Sequence, residues 1–446
     1  MRGKCKDVYI GMDDTDSRSG MCTTYLVKVL VEEFQKEGFD LIGPPRLVRL
    51  NPNIPWKTRG NGAVVLRVGR GYGEKRIVGE IRGRKIHAYR NGKNISLELK
   101  DIVEKVKNYF VLENDSTNPG IVISERKLPE KLYWITVRGV VSLDYVEGIL
   151  KEHGAKYAKF KNGRGIIGAS AGIAWRARHF TYELLTYLPE DRWNKERFID
   201  ARSVIEMDSE IKSTFDNYDY ENGYVAIVPH SKTPVLYGIR GTDPDDLIRA
   251  KDMIISEQYD SWFLFLTNQG SDDHIVSKKI GEIGMNENVK IRGKVTAKPR
   301  KIEGGHVILT LRDNTGEIDC AAYEPTKNFR RIVEGLIEGD EIEVYGSVRS
   351  EPRSVNIEKI HVLKLAEKRV KVSNPVCPKC GRKMESIGRG KGYRCRKCGF
   401  KLPESAAIYR IVEREIKEEW YEVPVIARRH LAKPLKIMGK RSSKIF

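Results

Sequence analysis

Apolar and polar residues follow one another along this chain in blocks whose period changes repeatedly, and the blocks read as elements. Residues 8–10 form a short apolar run of strand composition, and 25–35 repeat apolar residues at helical spacing, so the chain opens as strand, polar turn and helix. A strand over 41–49 follows, broken near its start by Pro44-Pro45. Residues 64–98 read as several short strands, with Asn91-Gly92 as a hairpin turn after 86–89. A helix is expected over 99–110, and a buried strand over 121–123. The glycine-rich 162–171 passes into a small-residue helix, which is expected to continue with an aromatic face over 175–188. Apolar runs at 225–228, 235–239 and 262–267, with a helical pattern over 243–255, make this part α+β or α/β.

From 289 onward the period settles to two. Alternating runs at 289–296, 306–312, 317–323, 341–348 and 355–363, with a helical stretch over 328–337 between the third and fourth, follow the strand order of an OB-fold. Such a barrel commonly binds single-stranded nucleic acid, and it also occurs as a purely structural adaptor. Cys377-Pro378-Lys379-Cys380 and Cys395-Arg396-Lys397-Cys398 come next. Each CxxC makes a tight knuckle, and four thiolates close a tetrahedral Zn²⁺ site with no open position for chemistry. A charged helix is expected over 404–420, then a segment carrying His430 and a basic tail. Cys5, Cys22 and Cys320 stand alone and read as small buried or neutral residues.

Composition turns this picture towards a polyanionic partner. A length of 446 residues exceeds one ordinary core, so several domains are expected. With 80 Lys and Arg against 61 Asp and Glu, the net charge is +19, which favours nucleic acid over membrane. No apolar run is long enough to span a bilayer, and the N-terminus enters a strand instead of a signal-peptide core. A cytoplasmic protein without membrane attachment, and with no protein partner evident, is expected. Four of the seven cysteines sit in paired short spacings, which speaks for metal and against a disulfide framework.

The chemistry is expected in the turn between the first strand and the first helix. Asp13, Asp14 and Asp16 repel one another there, and a fold that gathers such carboxylates usually does so for a cation. Mg²⁺ prefers hard oxygen ligands and bridges to phosphates. Thr23 and Thr24 open the helix, where free N–H groups stabilise a phosphate or a hydroxyl that receives one. A capped, solvated acidic turn is the other reading. Lys57, Arg59, Gly60, Asn61 and Gly62 lie in a loop stiffened by Pro52 and Pro55 and combine charge with close backbone approach, as a phosphate cradle requires. The loop also reads as a plain turn and lacks Walker spacing. Gly163, Arg164, Gly165 and Gly168 form a second glycine loop at a helix start, suited either to an anion or to tight helix packing. Asp216, Asp219 and Glu221 interleave with tyrosines in an otherwise basic protein, and suit either a small cationic ligand or an ordinary acidic loop.

No single motif names a function, but their order does. DDTDS with GMCTTYL, RLNPNIPWKTRGNGAV, NGRGIIGAS, LYGIRG, IEGGHV with AAYEPTKNFR, CPxCGRxMESIGRGxGYRCxxC and YEVP with ARRHLAKPL occur in sequence. Together they resemble the archaeal tRNA(Ile) 2-agmatinylcytidine synthetases (agmatidine synthases), with 70–98 outside the matched motifs. The resemblance implies a multidomain α+β protein: a kinase-like α/β domain over 1–130, a ferredoxin-like, agmatine-binding domain over 131–285, an OB-fold over 286–366, a zinc ribbon over 373–402, and a C-terminal helix with basic tail over 403–446. It implies that ATP is consumed to AMP and two phosphates, that the wobble cytidine of the CAU-anticodon isoleucine tRNA is phosphorylated on its C2 carbonyl oxygen, and that the amine of agmatine displaces that phosphate. It also implies that Thr23, the first threonine of MCTT, is the reactive, itself phosphorylated, hydroxyl. In this frame Asp13, Asp14 and Asp16 hold Mg²⁺, the two glycine loops hold the triphosphate, and Asp216, Asp219 and Glu221 meet the guanidinium of agmatine. The alternatives are a non-catalytic OB-fold and zinc-ribbon RNA-binding protein, or a metal-dependent RNA phosphodiesterase built on the aspartates.

Overall fold

The computed structural model describes residues 7–193 and 195–446, so Cys5 lies outside the described residues. The apolar first strand, Val8–Asp13, is buried over its whole length up to Asp13 and sits between Gly120–Ser124 and Gly62–Ile81, both antiparallel to it. These belong to one eleven-stranded sheet running Lys156–Lys159, Gly120–Ser124, Val8–Asp13, Gly62–Ile81, Arg46–Arg49, Ser261–Thr267, Thr181–Tyr187, Val235–Gly241 and Thr214–Phe215, with Asp40–Ile42 and Arg84–Lys93 branching from it. The two halves join where Arg46–Arg49 pairs parallel with the end of Ser261–Thr267, Leu266 beside Arg46.

Amphipathic periodicity decides what covers the sheet. Helix Tyr25–Lys36 turns Leu26, Leu30 and Phe34 onto one face of the first half, together with Ile102 and Val106 of Leu99–Val106. The opposite face is covered by Glu130–Arg138, Leu143–Glu152 and Gly165–Ala174, so elements beyond residue 130 share the core of the first half. The second half has its own core of Leu184, Leu236, Ile239 and Leu264 against Ala201–Glu210 and Pro244–Met253.

Asn288–Val295, Val307–Arg312, Glu317–Ala322, Glu341–Arg349 and Ser354–Lys364 form the expected OB-fold, closed where Val295 meets Leu311, with helix Phe329–Glu334 between the third and fourth strands. The barrel is fastened to the sheet by buried polar contacts. His274 Nε2 lies 3.2 Å from Glu358, with both residues buried, and Lys359 Nζ lies 2.6 Å from Asp272. After the ribbon, the chain adds Trp420–Glu422 to the barrel and then crosses back to the second half, where the His430 and Leu431 carbonyls accept from Gly270 and Asp272 N–H groups. Among the described residues no helix is long and apolar enough to cross a membrane.

Several expected elements differ. Residues 175–188 do not continue the helix, which stops at Ala174; Thr181–Tyr187 is a strand buried at every position between two neighbours. A strand covered on both faces loses its alternation and reads like a buried helix. The several short strands of 64–98 are one bent strand, Gly62–Ile81, paired with Arg84–Lys93. Asn91 and Gly92 lie inside that pairing, opposite Tyr72 and Gly71. The turn is instead Arg82-Gly83, both with positive φ (48° and 79°), as a two-residue hairpin turn requires. The apolar run 225–228 contributes only Tyr224–Val225. The helix expected over 404–420 is absent: Ile408–Ile411 is a strand on Arg369–Ser373, because β-branched and aromatic residues with a partner strand outweigh the charged pattern around them.

In the ribbon the four cysteine Sγ atoms all lie within 4.8 Å of one another, the donor set and compactness of a structural zinc site. Its remaining core is only Met384, Tyr393 and Ala407. So small a core does not hold a fold without metal. Chelation is therefore expected to accelerate amide exchange across 374–402 while the OB-fold amides keep their protection, read by hydrogen exchange with mass spectrometry.

Candidate active site

The acidic turn is placed by a close backbone approach between Gly120 and the start of helix Gly165–Ala174. Asp13 ends the first strand, and Asp14 follows with φ +58°, a left-handed conformation in which a non-glycine residue is strained. Helix Gly165–Ala174 begins against this turn: Gly165 N donates to the Asn118 carbonyl at 2.9 Å, and a Cβ on Gly165 would lie 2.5 Å from the Asp13 carbonyl oxygen. A Cβ on Gly168 would strike the Asp13 carboxylate. The small residues of the second glycine loop thus bring the positive end of a helix onto the carboxylate, its first three N–H groups being taken by the Asn118, Gly163 and Arg164 carbonyls.

The three aspartates are not equivalent. Asp16 is ion-paired with Arg59, which also donates to the Met21 carbonyl and, at 3.1 Å, to Ser231 Oγ. Asp14 accepts from Asn118 N–H at 3.2 Å and from Thr58 Oγ1 at 3.4 Å. Burial, then the neighbouring Asp14, holds the Asp13 carboxyl well above the usual carboxylate range. Burial, then Asp16, pushes Asp14 up to about 7. Asp14 is therefore only partly ionised at neutral pH, and a cation placed beside it would favour the charged form. Asp13 and Asp14 are the carboxylates left for a cation.

Thr23, buried, accepts from Thr15 Oγ1 at 3.0 Å at the start of helix Tyr25–Lys36, while Thr24 Oγ1 lies 3.0 Å from Cys22 Sγ. Both hydroxyls line a cleft of about 490 Å³ together with Asp13, Asp14, Asp16, Lys57, Arg59, Gly60, Asn61, Gly62, Arg164 and Gly168. Gly163 and Gly165 shape the second loop without lining the cleft. Lys57, donating to the Pro52 carbonyl, has its pKa lowered to about 8, first by burial and then by Arg429.

Asp216, Asp219 and Glu221 lie off the cleft wall. Asp216 is ion-paired with Arg428, Asp219 accepts from Ile426 N–H at 3.1 Å, and Glu221 is exposed. Asp216 and Asp219 hold the C-terminal segment, and that segment supplies Val425, Ile426, Arg428 and His430 to the cleft.

The floor consists of residues the sequence reading did not assign. Glu183, buried in the central strand, takes Arg240 at 3.2 Å and Arg49 at 3.4 Å and accepts from Gln269. His430 Nδ1 lies 3.1 Å from Gln269 Oε1 and 3.2 Å from the Arg240 guanidinium. Burial, followed by Arg49 and Arg240, holds the imidazole well below its ordinary pKa, so it is neutral. Arg49 Nε is buried without a hydrogen-bond partner among the described residues, a donor left over for an anionic ligand. A lone acid within the apolar 181–188 was the available signal for Glu183. Arg49 and Arg240 could not be told from other strand arginines.

Residues 9–162 match the family model described as TiaS TCKD domain, 163–274 the TiaS FLD domain, 289–363 the OB-fold nucleic acid binding domain, and 374–416 the TiaS C-terminal zinc ribbon domain. The isoleucine-tRNA 2-agmatinylcytidine synthetase TiaS of Methanocaldococcus jannaschii is 43% identical over 439 residues, covering 97% of this chain and 99% of that protein. Its counterpart from Archaeoglobus fulgidus is 40% identical, covering 98% and 99%. The crystal structure of a complex of TiaS with its isoleucine tRNA and ATP superposes with a TM-score of 0.82 at 37% identity, over 99% of this chain and 100% of that one. A complex of TiaS with the same tRNA, AMPCPP and agmatine gives 0.80 at 34% identity, with 99% and 100% covered. The chain belongs to the TiaS family of isoleucine-tRNA 2-agmatinylcytidine synthetases.

Proposed function

We infer that this chain is an ATP-dependent ligase that joins agmatine to the wobble cytidine of the CAU-anticodon isoleucine tRNA, and that the cleft beside Asp13 is where it does so. The observation that carries the reading is the full-length likeness to structures holding the isoleucine tRNA, ATP or its analogue, and agmatine. The chemistry needs activation before substitution. The C2 carbonyl oxygen of cytidine takes a phosphoryl group; the primary amine of agmatine then attacks C2, the C–N bond forms, the C–O bond breaks, and the oxygen leaves as phosphate while the nitrogen gives up its proton.

The residues divide these tasks by position. Asp13 and Asp14 would hold Mg²⁺, whose charge, when bound, neutralises the triphosphate as transfer proceeds. Asp16 fixes Arg59 and through it the loop over 51–63. The N-terminus of Gly165–Ala174, Arg164, Lys57, Gly60 and Gly62 face the phosphates, and the unpaired Arg49 donor extends that surface to the floor. Thr23 offers the hydroxyl for phosphorylation, and the Thr15 hydroxyl orients it. For agmatine the candidates remain Asp216, Asp219 and Glu221. The pairing of Asp216 with Arg428 makes its role one of exchange, the guanidinium taking the place that Arg428 holds. The OB-fold and ribbon hold the tRNA, and the target base leaves the anticodon stack to reach the cleft.

Incubation with ATP, agmatine and unmodified tRNA is expected to add agmatine to the cytidine with release of AMP, detected by nucleoside mass spectrometry; unmodified cytidine, or strand breaks, would refute it. Thr23→Ala and Asp14→Ala are each expected to abolish modification while tRNA affinity stays near wild type in filter binding. Because Lys57 carries its proton only below about pH 8 in the free enzyme, kcat/KM for ATP should fall as pH rises through that value. Lys57→Arg, always charged, should move the fall to higher pH in the same pH–rate profile.

A further inference from the structure

Trp56 has no part in the roles above, and its setting is unusual. The side chain is 47% exposed, although it stands on a loop held at both ends. On one side Asn53 donates to the OB-fold backbone, to the Val348 carbonyl at 2.7 Å and the Glu287 carbonyl at 3.2 Å. On the other, Thr58 reaches Asp14, and its carbonyl accepts from Arg18 Nε at 3.4 Å. Pro55 immediately before it stiffens the backbone further. An indole fixed this firmly without being buried is preorganised for something other than the core.

Its surroundings say what fits. The Arg164 guanidinium lies 4.0 Å from the ring centroid, a planar cation covering one face of the indole. Arg164 and Trp56 both line the mouth of the cleft, beside Lys57. A flat aromatic surface edged by basic side chains is the combination that holds unstacked bases of single-stranded nucleic acid, the ring taking the base and the cations its phosphates. The adenine of ATP has the same π face. The position favours an RNA base, because Trp56 is more exposed than the carboxylates and stands on the loop fastened to the OB-fold. A small nucleotide would be enclosed deeper, with its phosphates at Asp13 and the helix N-terminus.

We propose that Trp56, backed by Arg164, is a stacking platform for a base of the tRNA anticodon loop at the mouth of the cleft. The inference rests on reading the cleft as the site of tRNA modification. Arg164 then serves the indole as well as any phosphate, which explains why its planar group lies against the ring. Because the ring touches the RNA and not the triphosphate, its removal weakens the tRNA and leaves nucleotide binding intact.

The test compares Trp56→Ala, Trp56→Phe and Arg164→Lys with the wild type, using a labelled anticodon stem-loop in fluorescence polarisation, a fluorescent ATP analogue, and steady-state modification. Melting curves and zinc content confirm that each variant is folded. Trp56→Ala is expected to weaken stem-loop binding, and to raise the KM for tRNA, by roughly 5- to 150-fold, the worth of one base–aromatic stack. Trp56→Phe should restore most of the affinity, and Arg164→Lys, which keeps charge but loses the planar contact, should fall between. Unchanged stem-loop affinity in Trp56→Ala overturns the proposal, as does an equal loss of ATP-analogue binding, which would assign the platform to adenine. If Trp56→Ala does not fold, a Trp56→Phe enzyme without recovered affinity overturns it equally. The binding titrations read the platform even if the wild type fails to incorporate agmatine, an outcome that would count against the ligase reading alone.

Discussion

Two half-buried carboxylates brought against the start of a helix are the constraint around which this molecule is organised. Asp13 and Asp14 stand where desolvation and mutual repulsion both disfavour their charge. The helix Gly165–Ala174 can approach them only because residues 165 and 168 are glycines: a Cβ at either would meet Asp13, and one at Gly120 would meet the helix backbone. The result is a place with negative side chains on one side and the positive end of a helix on the other, which neither element could make alone. Such an arrangement suits a cation and an anion bound together and suits neither alone.

Around that point the cleft is composite. The first half of the sheet supplies the carboxylates and hydroxyls, the second half supplies Glu183 and Arg240, and the segment after the barrel supplies Arg428 and His430. These parts keep their relative positions through polar contacts that are themselves buried, as at His274–Glu358 and Lys359–Asp272. Removing Asp272 strands the buried Lys359 charge, which costs about 3–5 kcal/mol, so the barrel is coupled to the cleft energetically as well as by the chain. A nucleic-acid module fastened in this way presents its ligand to the cleft in one orientation. The proline-stiffened loop over 51–63 contributes to both sides, joined to the barrel through Asn53 and to the carboxylates through Thr58.

Local signals were legible wherever one residue type has one physical use. The CxxC pairs implied a four-sulfur site and the sulfurs converge; the period-two runs from 289 implied an OB-fold and the barrel closes. The acidic turn and the threonines after it stand in one cleft. Legibility failed where burial on both faces erased the pattern, as at Thr181–Tyr187, and where charge clustering imitated a helix around Ile408–Ile411. The pairing of Asp216 and Asp219 was likewise not legible, because their partners, Arg428 and the backbone at Ile426, lie some two hundred residues away.

By itself, then, the sequence determined the kinds of chemistry present and the order of the modules: oxygen ligands and hydroxyls at a helix start, a zinc knot, a barrel of period-two strands, and motifs of the synthetase family. Those are properties of short segments, set by residue type and spacing. Only the tertiary structure decided which carboxylates stay free, since Asp16 is claimed by Arg59 while Asp13 and Asp14 are not. It also decided that Glu183, Arg49 and His430 share the floor, and that Trp56 stands open with a guanidinium against its face. The reason is that a side chain's charge state and availability depend on what is packed beside it, and in this fold those neighbours come from strands, loops and a C-terminal segment far apart along the chain.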